Sequence, residues 1–261
     1  MVLPAGPPRF GELQAPRSWE VVDFISDLHL CDDTPRGFDA WSHYMRDTPA
    51  DAVIILGDLF EAWIGDDSRQ VGFDACCAEV LSAAAAIRSV AFMVGNRDFL
   101  VGPALLAGCG VRSLADPTVL MVDAERILLS HGDALCIGDV EYQQFRSLVR
   151  SASWQADFLA LPLAERRRRA RQMREQSQRR KEGQSAQPWF DVDAPTAIEW
   201  MEAADTPVLI HGHTHKPASE PLAPGFVRHV LSDWDLDHAP VARAEVLRWQ
   251  RAGLTRLPLP P

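Results

Sequence analysis

The stretch Ile25-Ser26-Asp27-Leu28-His29-Leu30 places a carboxylate and an imidazole two residues apart at the end of an apolar run. Residues 21–25 predict a buried strand, so we expect Asp27 and His29 on the loop at its carboxyl end. Side chains at positions i and i+2 of an extended chain project to one side and can share one metal ion. A lone Asp-x-His is more often a capped turn with a surface histidine, so the rest of the chain must decide between the two interpretations.

Four further polar clusters follow apolar runs in the same way. They are Gly57-Asp58, Gly95-Asn96, His131-Gly132-Asp133 and His211-Gly212-His213-Thr214-His215. Hydrophobic patterning predicts strands over 20–26, 51–56, 90–94, 118–122, 126–130, 207–210, 226–231 and 241–248, and helices near 39–46, 73–87 and 195–204. Because each cluster lies at the carboxyl end of a strand, we expect an α/β layered fold.

The segment from 139 to 190 differs from the rest of the chain. It lacks β-branched runs and keeps helical spacing, which predicts a helical cap inserted into the core. The core would then comprise 18–138 and 191–250, with a flexible tail over 1–17 and a second tail over 251–261. Bulky apolar groups in the cap suit either acyl chains or an ordinary helix–helix interface: Trp154, Phe158, Leu159 and Leu161.

An arginine-rich run lies in the same segment. Residues 164–182 carry eight Arg and one Lys against three Glu. Such a run is usually a solvated helix face. It would also suit binding of a pyrophosphate, or attraction to an anionic membrane at about 1 kcal/mol per basic residue. The sequence leaves these three interpretations open.

Composition restricts the class of protein. The chain has 261 residues, 47% hydrophobic and 24% charged, which is typical of one sizeable globular domain. A net charge of −10 argues against a nucleic-acid partner. Five cysteines without paired spacing indicate reduced thiols, and no signal peptide or membrane-spanning run is expected. We therefore expect a cytoplasmic protein whose membrane contact, if any, is peripheral.

The polar clusters together supply two carboxylates, one amide and four imidazoles, from Asp27, His29, Asp58, Asn96, His131, His213 and His215. This donor set suits Mn²⁺, Fe²⁺ or Zn²⁺ better than Mg²⁺ or Ca²⁺, which prefer oxygen ligands. Seven ligands are too many for one tetrahedral ion. Two ions about 3.5–4 Å apart, bridged by one carboxylate and one hydroxide, would use all of them. His43, His229 and His238 have no such companions, and we expect them to be surface or core residues.

The order of these clusters resembles that of the calcineurin-like metallophosphoesterases. Longer strings are similar to the UDP-2,3-diacylglucosamine pyrophosphohydrolases of lipid A biosynthesis: Ser26–Leu30, Gly57–Asp67, Gly95–Phe99, His131–Cys136, Tyr142–Arg146 and His211–His215. The resemblance runs from about 20 to 235. It implies a layered sandwich, two Mn²⁺ per chain, and cleavage of a lipid-linked sugar nucleotide to UMP and 2,3-diacylglucosamine 1-phosphate. It also implies that the protein acts at the cytoplasmic face of the inner membrane.

The resemblance implies a role for each site residue. The first ion would be held by Asp27, His29 and His215, and Asp58 would bridge the two ions. The coordination of the second ion would be completed by Asn96, His131 and His213. Asn96, Arg97 and His131 would be catalytic, with Arg97 stabilising developing charge. Substrate contacts are implied for Asn96, Arg97, Asp139, Ser177, Lys181 and His213.

Two other functions fit the clusters. One is a broader metallophosphodiesterase acting on soluble nucleotides. The other is a metal-poor interaction scaffold, which an intact set of seven ligands argues against because a scaffold has no need to keep them.

Overall fold

The structure, a computed structural model, describes residues 6–183 and 190–259, and it describes the side chains of 6–173 and 190–259. The strands are β1 Gly11–Gln14, β2 Val22–Ile25, β3 Ala52–Leu56, β4 Ser89–Met93, β5 Arg112–Leu114, β6 Thr118–Val122, β7 Glu125–Ser130, β8 Val208–His211, β9 Ala218–Ala223, β10 Phe226–Val230, β11 Glu245–Gln250 and β12 Gly253–Pro258. The α-helices are α1 Pro35–Asp47, α2 Gly72–Ala85, α3 Pro103–Gly108, α4 Val140–Val149, α5 Ala152–Leu159, α6 Leu163–Gly183 and α7 Ala194–Ala203.

Within the described residues, the strands form two six-stranded mixed sheets. The first has the order β1-β6-β7-β8-β10-β9, and the second has the order β12-β11-β2-β3-β4-β5. Strands β2 to β5 run parallel, and β7, β8 and β10 run parallel in the other sheet. The carboxyl ends of β2, β3 and β4 therefore meet at one edge of their sheet, as do those of β7 and β8.

Alternation of side chains along the strands builds a sandwich of the two sheets. Phe24 and Ile54 pack between the sheets with Leu120, Leu129 and Ile210 of the opposite sheet. Residues of the other parity lie against helices because successive strand side chains point to opposite faces. Ile25, Val53 and Ile55 join a cluster with residues of α1 to α3, while Val119, Leu128 and Leu209 pack on α7. This four-layer arrangement confirms the expected α/β layered sandwich.

Two short strands lie where the sequence led us to expect tails. Residues 11–14 pair in parallel with β6 and bury Leu13, and residues 253–258 pair with β11. The expected flexible tail over 1–17 and the tail over 251–261 are therefore wrong for these residues. Each strand is an edge strand with few buried side chains, so its hydrophobic pattern is too weak to reveal the pairing that neighbouring strands provide.

The segment after β7 contains helices α4, α5 and α6. The carboxylate of Asp139 accepts the backbone N–H of Tyr142 and so caps α4, and the Ser151 hydroxyl caps α5 by accepting from Trp154 N. Among the described residues, no helix has the length and apolar composition that crossing a membrane requires.

Arg166 on α6 differs from the neighbouring arginines of its run. It is 3% exposed, forms an ion pair with Asp67, and donates to the carbonyl of Ile64. Arg167, Arg168 and Arg169 are exposed, and the last two pair with Glu165. Arg166 therefore attaches α6 to the core and does not belong to a solvated or membrane-facing surface.

Candidate dinuclear metal centre

The first group of ligands lies on the loops after β2 and β8. Asp27, His29 and His215 each offer a ligand atom, and these atoms all lie within 4.8 Å of one another. His29 Nε2 is 3.2 Å from His215 Nε2, which is 3.3 Å from Asp27 Oδ1. Ligands about 2.1 Å from a tetrahedral ion lie about 3.4 Å apart, so these separations fit a single ion.

The second group lies on the loops after β3, β4, β7 and β8. Asp58 and His131 form a second set within 4.8 Å together with Asp27, and His131 Nε2 is 3.6 Å from Asp58 Oδ1. Asn96 Oδ1 is 2.9 Å from His131 Nε2 and 2.7 Å from His213 Nδ1. The structure thus brings together all seven residues expected as ligands, with Asp27 common to both sets.

The chemistry of the donor atoms fits two divalent cations. Asp27 Oδ1 is buried and has no hydrogen-bond partner within the part of the chain that the structure describes. Its other oxygen accepts from Ser26 Oγ at 2.5 Å and from His213 N at 2.9 Å, so the orientation of the carboxylate is fixed. A buried carboxylate oxygen that accepts no hydrogen bond is costly unless a cation binds there. The pair of sites is therefore suited to a dinuclear centre.

The backbone conformation of the ligand loops is strained. Seven non-glycine residues of the described chain have positive φ, and five of them are expected ligands: Asp27 (56°), His29 (50°), Asp58 (52°), His213 (67°) and His215 (53°). A left-handed residue other than glycine costs about 1–3 kcal/mol and persists only where the surroundings enforce it. Such residues concentrate at functional sites, and here they coincide with the ligands.

Two glycines allow the ligand loops to approach one another closely. A Cβ on Gly95 would overlap the carboxylate of Asp58, and a Cβ on Gly212 would overlap that of Asp27. Both overlaps involve groups fixed by hydrogen bonds, so no flexible chain end could move away. These positions require glycine so that β4 and β8 can deliver Asn96 and His213 beside the carboxylates.

Carboxylates that were not predicted from the sequence surround the ligands. Glu61 Oε2 lies 3.3 Å from His29 Nδ1, and Asp233 Oδ2 lies 3.5 Å from His215 Nδ1. Asp98 accepts the backbone N–H groups of Gly95 and Leu59. Carboxylates behind metal-binding histidines fix the tautomer and the orientation of the ring. The motifs could have indicated these carboxylates, because Glu61, Asp98 and Asp133 each follow an expected ligand by two or three residues.

The buried charges shift the proton affinities of the site. Burial raises the pKa of Asp98 to about 7, and the Asp58 carboxylate adds to this effect. Burial lowers the pKa of His213 to about 3, which keeps the neutral imidazole that binds metals. For His131 burial acts downward, but Asp58, Asp27 and Asp133 outweigh it and raise the pKa to about 9. The field around His131 thus favours positive charge.

The remaining predicted residues have different surroundings. Arg97 donates its backbone N–H to Asp58 Oδ1 at 2.8 Å, and its guanidinium lies 3.5 Å from Glu61. Asp139 caps α4, a structural role that was not predicted. Ser177 and Lys181 lie at positions whose side chains fall outside the described residues, so their roles stay predictions. His211 is buried, with Nδ1 2.8 Å from Gly212 O.

The fold and the site together define a class of protein. A layered sandwich with two adjacent metal-binding groups and an arginine beside them is the apparatus of a metal-dependent phosphoesterase. The sequence model of the calcineurin-like phosphoesterase family matches residues 21–217 of this chain. The chain therefore belongs to the calcineurin-like phosphoesterase family.

Curated relatives confirm the narrower group that the motif strings resemble. The Chromobacterium violaceum protein is 43% identical over 244 residues, which cover 91% of this chain and 98% of the relative. The Ralstonia nicotianae protein is 42% identical, covering 91% and 92%. The Stenotrophomonas maltophilia protein is 41% identical, covering 89% and 98%. Each is named UDP-2,3-diacylglucosamine hydrolase.

Proposed function

We propose that the chain hydrolyses the pyrophosphate bond of UDP-2,3-diacylglucosamine and releases UMP and 2,3-diacylglucosamine 1-phosphate, as a step of lipid A biosynthesis. The observation that carries the proposal is the 43% identity to a UDP-2,3-diacylglucosamine hydrolase across nearly the whole length of both chains. The complete set of seven ligands supports the hydrolytic reaction.

The seven ligands would hold two Mn²⁺ ions, because a mixed carboxylate and imidazole set suits this metal. When bound, such ions neutralise phosphoryl oxygens and activate water for attack on phosphorus. Arg97 keeps a permanent positive charge beside the ligands, held by its backbone bond to Asp58 and by Glu61. A phosphate monoester leaves with little need of a proton, so a fixed cation serves this leaving group better than a proton donor does.

We expect solvent oxygen to enter UMP and not the lipid phosphate. In-line attack requires the leaving oxygen opposite the attacking water, and Arg97 would hold the sugar-linked phosphate as the leaving group. One turnover in ¹⁸O-labelled water, with both products weighed by mass spectrometry, tests the function and the direction together. Release of no UMP would refute the function, whereas label in the lipid phosphate would reverse the orientation of the substrate.

We further propose that α4, α5 and α6 form a cap that binds the acyl chains. Arg150, which directly follows α4, donates to Gly95 O at 3.0 Å, and Trp154 on α5 contacts Phe99, so the helices lie beside the loop that carries Asn96. A groove of about 440 Å³ between the helices is lined by Phe145, Trp154, Phe158, Met173, Asp157, Arg169 and Gln172. Leu159 and Leu161, expected with Trp154 and Phe158, are not among its lining residues.

Substitution of groove residues should change substrate selectivity. Replacing Phe145 and Met173 with Gln removes apolar area from the groove, while Phe158 stays unchanged because it is only 6% exposed and packs in the core. Each apolar side chain contributes about 1.5 kcal/mol when buried, so kcat/KM for diacylated substrate relative to a small chromogenic phosphodiester should fall at least about tenfold. Ile87→Gln, exposed at the end of α2, is the matched control. An unchanged ratio would leave the groove without a role in lipid binding.

We also propose peripheral attachment to the cytoplasmic face of the inner membrane through the exposed arginines of α6. Binding to anionic vesicles should weaken with added salt, because basic residues attract anionic lipid within about 10 Å at 0.1 M ionic strength. Replacing Arg167, Arg168 and Arg171 with Gln should weaken binding further, with Arg112→Gln and Arg251→Gln as controls and Arg166 left intact for the fold. Vesicle sedimentation measures both effects. Salt-independent binding would indicate an apolar anchor.

A further inference from the structure

A second cleft lies beside the metal ligands, in a part of the molecule that the cap helices do not form. It has a volume of about 320 Å³ and includes His29 and His215 among its lining residues, with Arg97 and Glu61. The rest of its wall comes from the segment 233–238, from Arg243, and from the start of α1. This volume falls within the range of small-ligand sites.

The wall formed by residues 233–243 is firmly held. Backbone bonds join Asp235 and Arg243 in both directions at 2.9 and 3.0 Å, and Trp234 N donates to Asp27 O at 3.1 Å. The carboxylate of Asp237 accepts the N–H groups of Arg36 and Gly37, which ties this segment to α1. The cleft therefore has a fixed shape relative to the metal ligands.

The charges along the cleft divide it into two parts. Arg97 and the metal ligands lie at one end, where anionic phosphate would bind. Asp235 and Asp237 lie along the other wall and would repel a phosphate, while their charges would also disfavour an acyl chain. Asp233, beside His215, is paired with Arg243 of the same wall. This part suits a neutral polar group covalently joined to a phosphate.

A nucleoside has the chemistry that this wall would bind. Ribose hydroxyls and the N–H of uracil donate hydrogen bonds to carboxylates, and uracil carbonyls accept from arginine or histidine. Asp235 Oδ1 accepts the N–H groups of His238 and Ala239, and its second oxygen lies 4.0 Å from Arg243. That carboxylate thus has acceptor positions left, and the His238 side chain is 63% exposed.

We propose that this cleft, with Asp235 and His238, binds the nucleoside end of the nucleotide substrate. The proposal rests on the proposed function for the identity of that nucleoside, uridine. It divides the substrate between two cavities of opposite character, with the pyrophosphate at the ligands, the nucleoside in the polar cleft and the acyl chains in the apolar groove of the cap. His238 has no companion in the sequence that would indicate such a role.

The test is the binding of two small ligands to the manganese-loaded protein by calorimetry. UMP and inorganic phosphate have the phosphate group in common. The dissociation constant of phosphate divided by that of UMP therefore reports the contribution of the nucleoside contacts. UMP should bind more tightly than phosphate. In Asp235→Asn and in His238→Ala that ratio should fall by roughly three- to tenfold each, the equivalent of about one hydrogen bond. Asn keeps the oxygen that accepts the two backbone N–H groups of the loop.

Matched variants separate this effect from damage to the metal site. His43→Ala and Asp205→Asn change exposed residues of α1 and of the turn after α7, and they should leave the ratio unchanged. Loss of metal would weaken UMP and phosphate equally and would not change the ratio. Equal affinity for UMP and phosphate in the unmodified protein, or a ratio unaffected by both cleft variants, would overturn the proposal. The proposed function fails separately, if the unmodified protein releases no UMP from the lipid substrate.

Discussion

Replacing Asp58 by alanine should reduce turnover by at least about 10³-fold and lower the bound metal below two ions per chain. The carboxylate is 2% exposed and lies in one ligand set with Asp27 and His131. Under the proposed function it would bind both ions. Loss of one bridging ligand removes several kcal/mol of charge stabilisation, and about 1.4 kcal/mol corresponds to a factor of ten in rate. Turnover of the lipid substrate and metal content by mass spectrometry are the two measurements.

A second aspartate provides the control for Asp58. Asp47→Ala removes an exposed carboxylate at the end of α1 that pairs with Arg46 and is not among the expected ligands. It should keep both ions and full turnover. Circular dichroism must show that the Asp58 variant is folded, so that loss of metal is not a consequence of unfolding. Near-normal turnover with two ions retained in Asp58→Ala would refute the bridging role of Asp58.

Replacing Asp133 by alanine should destabilise the protein by about 3–5 kcal/mol. Asp133 is fully buried and accepts from Arg146 Nε at 2.8 Å, from Tyr142 Oη at 2.5 Å and from Arg150 at 3.4 Å. These three partners all belong to α4 or to its carboxyl end. Removing the carboxylate leaves two arginines without their buried partner, which is among the most costly single changes in a protein. Denaturant unfolding measures the loss.

The helix cap of α4 gives a control in the same element. Asp139→Ala removes one capping hydrogen bond and should cost only about 1 kcal/mol. Similar losses for Asp133 and Asp139 would mean that the arginines find other partners. Asp139→Asn keeps the cap but removes the charge. A raised KM for the lipid substrate without lower stability in that variant would support the substrate contact expected of Asp139.

The sequence predicts the clustering of the expected ligands because their chemistry and their position in the fold coincide. Asp27, His29 and Asp58 follow apolar strands, and parallel strands bring their carboxyl ends to one edge. Residues that act through hydrogen bonds across the chain are harder to predict. Asp233 lies 18 positions from His215 in the sequence, and only the path of the chain after β10 brings it to that ring.

Edge strands and the burial of single charged residues are hard to predict from the sequence for a different reason. The pattern of residues 11–14 includes one buried side chain, Leu13, so the strand forms only because β6 offers a free edge. Arg166 has the same residue type as its neighbours in the run, and nothing local to it indicates the buried pair with Asp67. Secondary structure set by local propensity can be predicted, whereas pairing set by tertiary contacts cannot.

The left-handed ligand residues have a consequence for engineering and for evolution. At His29 and His215 a glycine would adopt the observed backbone without strain, so variants selected only for heat resistance should drift toward residues that cannot coordinate an ion. Selection for turnover would push the same positions back toward histidine. Thermal stability and activity therefore place opposite demands on these loops. Variant libraries intended to raise the thermal stability of this enzyme should keep the loop residues unchanged and vary the sheets and outer helices.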